Sequence, residues 1–214
     1  MPGLPGEPKM ERHPISASQA FSFAWISFNK RYGLFLVIVS TTFAAWIALE
    51  IVVIAGHRFG ILLWTVAHLA FVLFFASVEI GFLKICLRLY DGGEPKIADM
   101  FAPWPLALKF LAGQVFFVLM VAVGLLLLLV PGVYLAVRYA LFGFCMADNG
   151  ANLMDGFRQS ATLTAGTWMN LFTIFAALIM LNILGASLMG LGLFITLPVS
   201  ALVTTALYRQ LVSR

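Results

Sequence analysis

Long runs without a single charge dominate the chain, and the charges that punctuate them mark out its elements. Arg31 and Glu50 enclose 18 uncharged residues, and the apolar run continues to Ala55. Arg58 and Glu79 enclose 20, Lys109 and Arg138 enclose 28, and Arg158 and Arg209 enclose 50. A bilayer hydrocarbon core of about 30 Å takes about 20 residues of apolar helix. The last window therefore holds two spans, joined at the Gly-rich stretch Gly185-Ala186-Ser187-Leu188-Met189-Gly190-Leu191-Gly192. The pattern predicts an all-α integral membrane bundle of six transmembrane helices in three hairpins, at about 33–55, 61–83, 106–130, 132–147, 168–187 and 192–208.

The segment Val130-Pro131-Gly132 decides between five spans and six. One helix over residues 106–147 would run about 63 Å at 1.5 Å per residue, twice the hydrocarbon thickness. A reversal at Pro131-Gly132 is less costly, since Pro ends helices and Gly permits a tight turn.

A different periodicity appears before each predicted hairpin. Ala17, Ala20, Phe21, Ala24, Trp25 and Phe28 recur at helical spacing between Ile15 and Phe28. From Asn152 to Thr164, Leu153, Met154, Phe157 and Ala161 fall on one face, with Asp155, Arg158 and Gln159 off it. A shorter segment, Pro95 to Phe101, precedes the third span and ends at Pro103-Trp104-Pro105. Each reads as a cytoplasmic interfacial helix followed by two spans, a unit repeated three times. Trp25, Trp104 and Trp168 stand just before spans, where indole rings favour the headgroup boundary.

Composition removes the soluble alternatives. The 214 residues carry 13 Lys+Arg and 9 Asp+Glu, 62% are apolar, and the mean hydropathy is +1.01. So few charges cannot coat a globule of this size, which excludes a soluble enzyme, a disordered chain and a nucleic-acid-binding domain. Under the six-span reading, Lys9, Arg12, Lys30, Arg31, Lys84, Arg88, Lys96, Lys109, Arg158, Arg209 and Arg214 share one side of the membrane. Arg58 alone lies in a loop on the other side, and Arg138 lies within a span. The positive-inside bias then predicts a multi-pass membrane protein with both termini cytoplasmic. The net charge of +4 becomes an orientation signal with some attraction to anionic lipid, and nucleic acid is not expected as a partner.

Residues 1–14 are rich in Pro and Gly and read as a disordered cytoplasmic tail, leaving 15–214 as a single membrane domain. No cleavable leader pattern precedes the first span. Cys86 and Cys145 read as unpaired thiols in a reducing compartment.

Three segments then stand out together: Tyr90-Asp91-Gly92-Gly93-Glu94-Pro95, Val130-Pro131-Gly132-Val133-Tyr134-Leu135-Ala136-Val137-Arg138-Tyr139, and Met154-Asp155-Gly156-Phe157-Arg158-Gln159-Ser160. They resemble the uncharacterised bacterial multi-pass family related to the membrane domain fused to glycerophosphodiester phosphodiesterases. The resemblance covers most of residues 15–210 and implies a six-helix inner-membrane protein with interfacial helices. Relatives often have Ala-Leu where this chain has Gly156-Phe157. A fused phosphodiesterase barrel of about 250 residues has no room here, so its hydrolytic activity is not carried over.

Catalytic signals are lacking. His13, His57 and His68 are isolated, and no zinc-binding His pair, Cys-x-x-Cys or Gly-x-Ser-x-Gly elbow occurs. No catalytic residue, metal or cofactor is expected, and Asp148 and Asp155 read as members of a solvated loop around Asn149-Gly150. Polar residues inside spans carry more weight, because each is costly unless paired or facing a cavity. Counted from the outer turns, Glu50 lies roughly 9 Å deep, His68 roughly 12 Å, Arg138 roughly 10 Å and Asn182 roughly 8 Å. These four form a candidate outer-half cluster, with Glu50 pairing Arg138, that binds a lipid headgroup or carries a proton. A purely structural ion pair, or Arg138 snorkelling outward, is the competing reading. Glu79 and Gln114 fall in a separate inner layer. The expected function is non-enzymatic membrane or envelope organisation, with membrane lipids as partners and a homo-oligomer compatible with the sequence. The alternative is a small transporter or lipid-handling protein.

Overall fold

A computed structural model describes residues 16–56, 60–95, 97–100, 104–187 and 190–213. The described residues form nine α-helices and one 3-10 turn, with no strand among them. The helices are α1 (Ala17–Lys30), α2 (Tyr32–Gly56), α3 (Ile61–Tyr90), α4 (Trp104–Leu127), α5 (Leu129–Tyr139), α6 (Phe142–Asn149), α7 (Leu153–Leu163), α8 (Trp168–Ser187) and α9 (Leu193–Val212). Six stretches are long and apolar enough to cross a membrane: α2, α3, α4, α5 with α6, α8 and α9. The chain is an all-helical multi-pass membrane protein. The predicted tail at 1–14 and the loop bearing His57 and Arg58 lie outside the described residues.

Span ends differ from the predicted ones in instructive ways. α3 continues past 83 to Tyr90, carrying Lys84 and Arg88, because Ile85, Cys86 and Leu87 are buried against neighbouring elements and Arg88 pairs with Asp99. It stops where Gly92 adopts φ +78° and Gly93 N–H returns to the Arg88 carbonyl. The reversal expected at Pro131-Gly132 occurs earlier, at Leu128, whose extended backbone separates α4 from α5. Pro131 then sits in the first turn of α5, where its missing N–H would have had no intrahelical partner. Gly132 serves close packing: a Cβ there would lie 2.5 Å from Leu125 N, and one on Gly124 would lie 2.9 Å from Gly132 Cα.

α3 and α9 form the centre. α3 packs on α2, α4, α6, α9 and the 3-10 turn Ile97–Met100, while α9 packs on α1, α2, α3 and α8. α5 packs on α4, α7 and α8. The 3-10 turn presses its backbone onto α3 at Gly81, where a Cβ would fall 2.0 Å from the Met100 carbonyl oxygen. α1 begins at Ser16, whose hydroxyl accepts the Gln19 N–H, and buries Ala20, Ala24 and Phe28 while Trp25 stays 55% exposed. In α7 the buried stripe is Gly156, Phe157 and Ser160, with Thr164 beyond it. This is shifted from the predicted face, and Met154 is exposed. The shift arises because small and hydroxyl residues, which hydropathy does not score as buried, make the contact.

Candidate functional site

The four residues of the predicted outer-half cluster are not joined to one another by any hydrogen bond or ion pair among the described residues. Arg138 Nη1 donates to Tyr134 Oη at 2.6 Å, and its guanidinium lies over the Tyr134 and Tyr139 rings at 5.6 and 6.0 Å. Tyr134 stands one helical turn away, so Arg138 finds its partner within α5. Glu50 is exposed on α2, which packs on α1, α3 and α9, whereas α5 packs on α4, α7 and α8. Asn182 Nδ2 donates to Ser200 Oγ and to the Leu178 carbonyl, both at 2.9 Å, linking α8 to α9. His68 lies against Trp64, with ring centroids 4.8 Å apart, and its Nδ1 is buried without a hydrogen-bond partner.

The inner layer behaves otherwise. Gln114 Nε2 on α4 donates to Glu79 Oε2 on α3 at 2.6 Å. The flanking residues Val78 and Ile80 are buried, but Glu79 is exposed, and it borders two cavities. One, of about 600 Å³, lies between α2, α3 and α9 and has otherwise almost wholly apolar walls, including Phe43, Trp46, Phe75 and Phe82. The other, of about 660 Å³, lies between α3, α4 and the α5–α6 segment and includes Gln114. Glu79 stands 11 residues before the end of α3, about 16 Å along the helix. The sequence placed Glu79 and Gln114 in one layer. It gave no sign that two clefts would meet there.

Asp148 is not a solvated loop residue. It lies in α6 and accepts both ends of the Arg209 guanidinium, Nη1 to Oδ2 at 2.8 Å and Nη2 to Oδ1 at 2.9 Å. Tyr208 Oη adds a third bond to Asp148 Oδ2 at 3.0 Å, and Arg209 Nη2 reaches Asp91 Oδ2 at 2.5 Å. The ends of α3, α6 and α9 are thus tied at one point. Nearby in sequence, Ser16 N–H donates to Gln210 Oε1 at 3.1 Å, bringing the start of α1 to the same end of α9. Arg88 pairs with Asp99, and Lys109 Nζ donates to Asn152 Oδ1 at 2.8 Å. Separations of 61 and 118 residues hid the Arg209 contacts from sequence inspection. The common side assigned to these charges was the available clue.

One hydroxyl site also escaped notice. Between α5 and α6 the helix breaks at Ala140-Leu141. Ser160 Oγ of α7 accepts the Leu141 N–H at 3.2 Å and donates to the Arg138 carbonyl at 3.0 Å, which also accepts Thr164 Oγ1 at 3.0 Å. A backbone break in a span demands such partners, since hydrocarbon offers none.

Cys86 and Cys145 are buried and unbridged. Among the described residues, no group of three or more His, Cys, Asp or Glu side chains is placed to hold a metal ion. Compared with known protein families, curated proteins and solved structures, the chain shows no match. The family resemblance rests on its three motifs alone.

Proposed function

We propose that this chain is a non-enzymatic multi-pass protein of the bacterial inner membrane, with both termini cytoplasmic, that acts in membrane or envelope organisation. The observation that supports this reading is the convergence of Asp91, Asp148 and Arg209, with Ser16 held by Gln210, at one end of the bundle. By the span assignment, most of the Lys and Arg residues share the side on which Arg209 lies, and positive-inside bias makes it the cytoplasmic one. Two further readings accompany it. The spans pair as α2–α3, α4 with α5–α6, and α8–α9, and α1, the Ile97–Met100 turn and α7 lie at the cytoplasmic interface ahead of each pair. Most hydroxyls of the spans donate to carbonyls of their own helix, among them Thr42, Thr65, Thr173 and Thr205. Gln114 to Glu79 and Asn182 to Ser200 link neighbouring helices, as suits a scaffold lodged among lipids.

Thiol labelling tests the orientation, with little background because the native cysteines are buried. An impermeant maleimide should label Ala186→Cys in intact spheroplasts and Ser18→Cys only after permeabilisation. The opposite pattern overturns the orientation. For the organisational role, deletion of the chain should raise uptake of a hydrophobic dye across the envelope, and re-expression should restore the barrier. Unchanged uptake on deletion overturns that role. The second reading, a small transporter or lipid-handling protein, draws support from Glu79 and its clefts, since Arg138 and Asn182 are occupied by Tyr134 and Ser200.

A further inference from the structure

We propose that the cleft between α2, α3 and α9 binds a small lipophilic cation, an ammonium or phosphonium centre carrying apolar substituents, with Glu79 as its counter-ion. This deepens the second reading above and requires only that the chain sit in a membrane. Among the described residues Glu79 is the one charged residue on the cleft wall, and an intramembrane acid without a cationic partner is costly. Gln114 approaches from the other cavity and occupies one carboxylate oxygen, so part of the acceptor capacity of Glu79 is left over. Aromatic rings attract cations, and Phe43, Trp46, Phe75 and Phe82 are among the residues that line the cleft. The cleft is open on one side, and its volume of about 600 Å³ falls within the range of small-molecule sites. A zwitterionic aminophospholipid fits worse: its phosphate would need a basic partner, and among the described residues no Lys, Arg or His lines the cleft.

The test uses tetraphenylphosphonium and the purified full chain in phosphatidylcholine nanodiscs, read by equilibrium dialysis. Saturable binding of one cation per chain is expected. Glu79→Gln should weaken it about tenfold or more, and Glu50→Gln should leave it unchanged, because Glu50 does not border the cleft. Where Glu79→Gln fails to give a monodisperse protein, Leu197→Trp at the exposed rim decides, since it obstructs the cleft and keeps the acid. Absence of saturable binding overturns the proposal. So does binding that survives both Glu79→Gln and Leu197→Trp, an equal loss in Glu50→Gln, or displacement by phosphatidylethanolamine. None of these outcomes bears on the terminal orientation or the dye barrier, so the two readings fail separately.

Discussion

Arg209 and Asp148 meet fork to fork, with two parallel N–H···O bonds of 2.8 and 2.9 Å joining the last helix to the end of the fourth span. Both side chains are about one-fifth exposed, so the pair is partly shielded from water. Removing one partner of a fully buried pair costs about 3–5 kcal/mol, and partial exposure lowers this. Arg209→Ala should therefore destabilise the fold by about 2 kcal/mol. Arg209→Lys should recover only part of the loss, since an ammonium cannot make the planar two-point contact. SDS-titrated unfolding, read by tryptophan fluorescence, measures both. Equal stability of the Lys variant and the parent would show that the fork geometry is unimportant.

Ser160 satisfies two backbone groups with one hydroxyl, and Leu141 N–H is one of them. Ser160→Ala should cost about 1–3 kcal/mol, the penalty of an unpaired buried donor. Thr164→Val should cost less, because the Arg138 carbonyl keeps Ser160 as a donor. The same unfolding titration ranks the two, and a larger loss for Thr164→Val would contradict the assignment.

Arg138 is held by Tyr134, so Tyr134→Phe should cost about 1 kcal/mol. A double-mutant cycle of Glu50→Gln and Arg138→Met should give a coupling below about 0.5 kcal/mol, the value for independent sites. Coupling above about 1 kcal/mol would restore the ion pair that their shared depth suggested.

Two glycines should respond in opposite directions to the same substitution. Gly81→Ala places a methyl against the Met100 backbone at 2.0 Å and should destabilise by more than about 2 kcal/mol, or displace the 3-10 turn. Gly33→Ala meets nothing within 4 Å inside α2 and should stabilise by about 0.5–1 kcal/mol. Thermal aggregation in detergent distinguishes the two, and matching shifts would refute the steric account.

The spans were legible because hydropathy over 20 residues reports one physical fact, the solvent around a helix. The break in the fourth span was not legible. Its cause is a hydroxyl on another element, and Ser160 looks like any other polar residue in a short helix. Glu50 and Arg138 show the same limit in reverse: counting residues fixes depth but says nothing about which way a side chain faces around the bundle. Arg138 was counted at the height of Glu50, yet the reversal at Leu128 sets it deeper and its partner is Tyr134. Glu79 and Gln114 were matched in height and do bond, because α3 and α4 happen to be neighbours. The small residues of α7 and the glycines at 81, 124 and 132 mark contacts that hydrophobic patterning ranks lowest.

The interrupted fourth span carries a consequence for biosynthesis. Its backbone groups at Arg138 and Leu141 are bonded by Ser160 and Thr164, residues that leave the ribosome some twenty positions later. Until α7 has docked, the Leu141 N–H lacks this partner, so the break at Ala140-Leu141 completes its hydrogen bonding only once α7 is in place. The final shape of this span is thus tied to an element downstream of it.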